Sequence, residues 1–74
     1  MKSWLEDDEF YKRIAHEASE LRQSRGLSQR ELAVLCGTTQ SAIARFESGT
    51  RPPKLDTLLR IAGALDAELE VQFR

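Results

Sequence analysis

Gln40, Ser41 and Arg45 are the residues of this 74-residue chain whose types and spacing offer recognition chemistry. On a helix turning about 100° per residue with Ile43 at zero, Ala42 falls near 260° and Phe46 near 300°, so these three share an apolar arc. The opposite arc carries Gln40, Ser41, Ala44, Arg45 and Ser48. A glutamine amide presents the paired donor and acceptor that match an adenine edge, and a guanidinium presents the paired donors that match guanine. The methyls of Ala44 and Thr39 suit a thymine methyl. This is the chemistry of reading base edges, not of making or breaking bonds. The chain has no paired-carboxylate constellation, no nucleophile with its base and no phosphate-cradling glycine loop, so an enzyme is not expected. Cys36 and His16 are each the single residue of their type, too few for a disulfide or a closed zinc site. Cys36 is expected to fill a core position and His16 to lie on the surface. No catalytic residue, metal or cofactor is expected.

Reading base edges requires a helix held proud of the surface, and the flanking sequence supplies the means. Ser28 can cap a helix beginning at Gln29, Glu31 closes a capping box, and Leu27 with Leu32 forms a hydrophobic staple. That helix ends by Gly37, and Thr39 is placed to cap a second one over about Gln40 to Glu47, broken by Ser48-Gly49. Ala33 suits the close approach of the two helices, Gly37 the tight turn, and Leu32, Ile43 and Phe46 the apolar anchors. A longer helix is expected from about Asp8 to Arg25, with Phe10, Ile14, Ala18 and Leu21 on one stripe. Pro52-Pro53 marks an extended connection before a last helix faced by Leu55, Leu58, Leu59, Ala62 and Leu65. From Ala67 onward Leu69, Val71 and Phe73 alternate with Glu68, Glu70 and Gln72, the period of a half-buried strand. Its pairing, within the chain, across a dimer or to a partner, is open.

Size and charge bound the function further. A single domain of this length sits near the limit at which chains need a partner, so an oligomer is expected. The net charge is −1, but its distribution is uneven. Residues 1–20 carry three basic against six acidic side chains, residues 21–60 seven against three, and residues 61–74 one against three. A basic middle suits phosphates and acidic ends suit something else. Arg22, Arg25, Arg51 and Lys54 are candidate phosphate contacts, each weighed against ordinary surface charge. Trp4 is followed by Glu6, Asp7, Asp8 and Glu9 instead of an apolar run, so neither a secretory leader nor a membrane span is expected, and a cytoplasmic location is.

Leu27-Ser28-Gln29-Arg30-Glu31-Leu32-Ala33, then Gly37 through Gly49, then Arg51-Pro52-Pro53 resemble the Cro/cI-type (XRE) helix-turn-helix family. The resemblance covers about Leu21 to Leu65. It implies a mainly α, compact lambda-repressor-like bundle of four to five helices, here with an N-terminal helical extension and a short C-terminal strand. It also implies a homodimer on a double-stranded operator with inverted-repeat symmetry, acting mostly as a transcriptional repressor. By position, Gln29 resembles the family's phosphate-contacting glutamine, Gln40 and Ser41 its base-reading pair, and Arg45 a further base or backbone contact. Thr50, Arg51 and Lys54 lie where the family's loop touches phosphates. The sequence departs from the pattern at Val34 and Leu35, commonly charged, and at Cys36, commonly leucine. The organisation expected is a single domain over 1–74, with an acidic helical extension at 1–20, a core at 21–65 containing the helix-turn-helix at 29–48, and a strand-like tail at 66–74. The flanks resemble antitoxins of the HigA kind, which implies a RelE- or HigB-like toxin as partner and autorepression of the operon. Trp4, Phe10 and Tyr11, with Leu69, Val71 and Phe73 on the tail, are the candidate partner contacts. A stand-alone regulator, of the phage-repressor or restriction-modification type, is the alternative, as is a protein-binding module that has lost DNA binding.

Overall fold

In a computed structural model of the chain, the described residues are 8–50 and 53–67, and they form four helices. In chain order these are α1 (Asp8–Ser24), α2 (Gln29–Cys36), α3 (Gln40–Glu47) and α4 (Leu55–Ala64). The starts of α2 and α3 follow from local side-chain chemistry. Ser28 Oγ accepts from the Glu31 backbone N–H at 3.0 Å, while Glu31 Oε1 accepts from the Ser28 N–H at 2.9 Å. Both bonds of the expected capping box are therefore made, and two amides that the helix would leave unpaired are satisfied. The end of α2 is equally local. Gly37 takes the left-handed conformation at φ 67° and ψ 34°, and the Gly37 and Thr38 N–H groups close back onto the Val34 and Ala33 carbonyls.

The core forms where the helices' apolar faces meet. Tyr11, Ala15 and Ala18 come from α1; Leu32, Ala33 and Cys36 from α2; Ile43 and Phe46 from α3; Leu58 and Ile61 from α4, closed by Leu65. Ala33 is buried in this core, 2% exposed. Ile14, Leu21 and Leu27 pack around the rim. Burial of each large side chain contributes about 1.5–3 kcal/mol, and here the contributions converge on α3, which packs against both α1 and α2.

Three expectations need correction. The stripe of α1 was placed on Phe10, but the inward residue is Tyr11, 4% exposed, with Ala15 and Ala18 at i+4 and i+7. Tyr11, nominated as a partner contact, is therefore a core residue, whereas Phe10 is half-buried and stacks under the Arg13 guanidinium at 5.5 Å. On α4, Ile61 takes the inward position with Leu58 and Leu65, and Leu55 and Leu59 stay about half exposed. The reason is geometric: 58, 61 and 65 follow one stripe, and 55 and 59 lie roughly 100° around from its centre. Finally, among the described residues the expected N-terminal helical extension is not a separate helix: α1 runs unbroken from Asp8 through residue 20 and supplies part of the common core. No strand is present among the described residues. Trp4, Arg51 and the tail with Leu69, Val71 and Phe73 lie outside them. No helix of the described residues is long and apolar enough to cross a membrane.

Two glycines give opposite expectations for the same substitution. A Cβ at either Gly37 or Gly63 would meet nothing within 4 Å, but Gly37 has φ +67° and Gly63 lies within regular α4. Gly37→Ala should lose about 1–2 kcal/mol from backbone strain alone. Gly63→Ala should gain up to about 1 kcal/mol from helix propensity. Urea midpoints of the two variants would shift in opposite directions.

Candidate nucleic-acid interface

α3 has eight residues, too few to hold a helical conformation unaided. At its start, Thr39 Oγ1 accepts from the Ala42 N–H at 3.1 Å. The bond fixes the Thr39 side chain at the head of the helix, with its methyl and hydroxyl hydrogen both free to meet a base. Ile43 and Phe46, 1% and 2% exposed, bury one arc of the helix. The other arc faces outward as the wheel predicts: Gln40, Ser41 and Arg45 are exposed and Ala44 is half-buried. The Arg45 Nε donates to the Ser41 carbonyl at 3.3 Å, which lays the side chain along its own helix.

α1 holds the far end of α3 at two points. The Tyr11 hydroxyl donates to the Phe46 carbonyl at 3.1 Å, with the two rings 6.3 Å apart. At the next residue of α3, the Arg22 guanidinium grips the Glu47 carboxylate through both oxygens, Nε to Oε2 at 2.7 Å and Nη2 to Oε1 at 3.0 Å. Its third nitrogen, Nη1, donates to the Leu27 carbonyl at 2.7 Å, at the turn leading into α2. Both side chains are largely shielded from solvent, 11% and 6% exposed. Gln29 completes the cluster, its amide Nε2 donating to Glu47 Oε1 at 3.1 Å. Gln29 at the start of α2 is thus joined to the end of α3 by one carboxylate.

The electrostatics follow from this arrangement. Burial pushes the Glu47 carboxyl up, but hydrogen bonds from Arg22 and Gln29, with the Arg22 charge, hold it below its ordinary value. The hydrogen bond to Glu47 raises Arg22 correspondingly. Hydrogen bonds from Ser28 lower the Glu31 carboxyl. Burial raises the Cys36 thiol, which stays protonated in the core. Among the described residues no group of His, Cys, Asp and Glu is placed to hold a metal.

The nominated residues fall into two groups. Gln40, Ser41, Ala44 and Arg45 share the outward arc of α3, with Thr39 at its head. Arg45 and Lys54 line one groove of about 410 Å³ between α3 and the start of α4, beside Thr38, Pro53 and Thr57. Thr50 follows α3, with its hydroxyl 2.6 Å from that of Ser48. Arg22 is a departure: nominated as a phosphate contact, it is committed to Glu47 inside the protein. Glu47 escaped sequence reasoning altogether. The available signal was that it is the lone acidic residue of α3 within a basic stretch, next to the buried Phe46.

Comparison with known proteins places these features in context. A helix-turn-helix family matches residues 19–72. Antitoxin HigA1 of Mycobacterium tuberculosis is 41% identical over 70 residues, 95% of this chain and 47% of that protein. An uncharacterized HTH-type transcriptional regulator of Haemophilus influenzae is 42% identical over 50 residues, covering 68% of this chain and 51% of that one. The chain spans about half the length of these curated relatives. Among solved structures, the restriction-modification controller protein C.AhdI from Aeromonas hydrophila superposes with a TM-score of 0.78 at 35% identity, over 85% of this chain and 91% of that chain.

The buried carboxylate gives a stability prediction with a definite sign. Glu47→Ala leaves the partly shielded Arg22 guanidinium without its partner and should cost roughly 1–3 kcal/mol, a large share of the stability of a domain this size. Because the folded carboxyl lies below its unfolded value near 4.3, its contribution is complete above that value and is lost as pH falls through the folded one. Urea unfolding of the wild type should therefore be insensitive to this group between about pH 6 and 7 and weaken below about pH 4. Glu47→Gln should show a shallower acid slope; an unchanged slope would remove Glu47 from the account.

Proposed function

This chain belongs to the Cro/cI-type (XRE) helix-turn-helix family of DNA-binding regulators, and within that family we propose that it is a sequence-specific transcriptional repressor. The observation that carries this is the division of α3 into a buried arc, Ile43 and Phe46, and an outward arc of Gln40, Ser41 and Arg45. In the proposed complex α3 enters the major groove as a single-domain chain binds a double-stranded operator. Gln40, Ser41 and Arg45 read base edges, with the Ala44 and Thr39 methyls on thymine. Gln29, Thr50, Arg51 and Lys54 contact phosphates and supply most of the affinity. Two copies on an inverted repeat place their recognition helices about 34 Å apart. This regulator is cytoplasmic, where its DNA is, and uses no cofactor.

We further propose the antitoxin role, in which the same chain neutralises a RelE- or HigB-like toxin and represses its own operon. The likeness to Antitoxin HigA1 over nearly the whole chain supports it. So does the acidic character of residues 1–20, which suits the basic surface expected of an RNA-cleaving partner. Trp4, Phe10 and the tail residues Leu69, Val71 and Phe73 remain the proposed toxin contacts. The likeness to C.AhdI favours a second reading, control of a restriction-modification operon. Co-expression with the product of the adjacent gene separates the two: a stable complex that suppresses ribonuclease activity supports the antitoxin, and an adjacent endonuclease gene with no complex supports the controller.

DNA recognition is tested by fluorescence anisotropy on the chain's own promoter and on scrambled DNA across a salt series. Gln40→Ala and Arg45→Ala should each lose roughly 1–3 kcal/mol at the promoter and little on scrambled DNA. Lys54→Ala should weaken both alike and flatten the salt dependence. Equal affinity of the wild type for both DNAs would show that α3 does not read sequence.

A further inference from the structure

We propose that the groove between α3 and the start of α4 binds a small organic anion, a carboxylate carried on an apolar body, and that this ligand competes with DNA. The competition rests on the DNA-binding reading above; the binding itself does not.

The groove encloses about 410 Å³, within the span of small-molecule sites. Its floor is made by Ile43, Phe46 and Ile61, all members of the core, so it is held from beneath and exists without a ligand. Its rim is cationic: Arg45 and Lys54 are both exposed, and among the described residues no acidic side chain lines the groove. The polar groups there are also uncommitted. Arg45 uses Nε on the Ser41 carbonyl, which leaves both terminal nitrogens of its guanidinium for a second partner. Among the described residues neither the Lys54 ammonium nor the hydroxyls of Thr38 and Thr57, which line the same groove, make a hydrogen bond.

This combination selects the class of ligand. An inorganic anion would meet the two cations but leave the apolar floor uncovered. A neutral apolar molecule would cover the floor and leave the cations unanswered, and the rim repels a cation. A carboxylate on an aryl or short alkyl body satisfies both parts. Its two oxygens match the guanidinium fork, with Lys54 and the threonine hydroxyls as further donors, and its body displaces water from the floor. The consequence for DNA follows from the shared side chains. Arg45 is assigned to a base edge and Lys54 to a phosphate, and neither can serve a bound carboxylate at the same time. The ligand therefore weakens DNA binding by the same factor by which DNA weakens binding of the ligand.

Hydrocinnamate, a phenyl ring on a short carboxylate chain, is a suitable test compound, and its size sets an expected dissociation constant on the order of 1 mM. Titrated into the isotope-labelled full chain without DNA at constant ionic strength, it should give saturable amide shifts centred on Thr38, Ala42, Arg45 and Thr57. Inorganic phosphate and the neutral phenylpropanol should each bind about tenfold more weakly or worse. Thr57→Phe, which fills the groove from its α4 side, should abolish the shifts, and Lys54→Ala should weaken binding about threefold or more. Lys54→Ala decides the matter if Thr57→Phe fails to fold. In the anisotropy assay, hydrocinnamate at about ten times its dissociation constant should raise the promoter Kd about tenfold. No saturable shift up to about 50 mM, or phosphate binding as tightly as hydrocinnamate, overturns the site. Saturable binding with an unchanged promoter Kd overturns the competition. A chain that does not distinguish promoter from scrambled DNA removes the base-reading role of α3, while the titration without DNA still decides the groove.

Discussion

The partly buried pair of Arg22 and Glu47 is the constraint on which the arrangement depends. α3 is short, and its useful face points away from the protein, so nothing on that face can stabilise it. Its position is fixed from behind and from the ends: Thr39 at the start, Ile43 and Phe46 beneath, and the guanidinium of α1 at the finish. Removing a carboxylate and a guanidinium from water is costly, and the pair survives because its hydrogen bonds are nearly saturated. Glu47 takes up Arg22 twice and Gln29 once, and Arg22 gives its remaining nitrogen to Leu27. The result is that α1, the start of α2 and the end of α3 share one polar knot, and a tilt of α3 would have to break it.

The division of charge acquires a direction once the fold is known. Glu17 and Glu20 are exposed on α1, on the side opposite Tyr11, Ala15 and Ala18, which face the core. Since α1 packs against α3 through that buried side, the acids face away from α3. Arg45 and Lys54 flank the groove beside α3. A polyanion approaching this protein is attracted on one side and repelled on the other, so its orientation is biased before contact. A net charge of −1 conceals this entirely.

What the sequence disclosed and what it hid divide by distance along the chain. The boundaries of α2 and α3 were legible because Ser28, Glu31, Gly37 and Thr39 act on backbone groups two to four residues away. The outward arc of α3 was legible because Ile43 and Phe46 leave only one way for the helix to face. Which of Phe10 and Tyr11 turns inward was not, because the two are about 100° apart and both flank an alanine-rich stripe. The tyrosine wins because its hydroxyl finds the Phe46 carbonyl, a partner 35 residues away. The same holds for Ile61 against Leu59, decided by where α4 lies across α2. Arg22 and Glu47, 25 residues apart, read separately as a surface cation and an unremarked acid; only the tertiary fold makes them a pair.

The two arcs of α3 also differ in how freely they can change. Ile43, Phe46 and Glu47 are each tied to other helices, so a substitution there is felt by the whole domain. The side chains of Gln40 and Ser41 make no hydrogen bond to any other described residue and face solvent. Exchange at those two positions should be nearly silent for folding. Under the proposed role of α3 in base reading, operator preference can drift, or be reprogrammed by a designed library, on a scaffold that does not register the change. The proposed binding vocabulary of this protein and its structural grammar are written in different residues of the same helix.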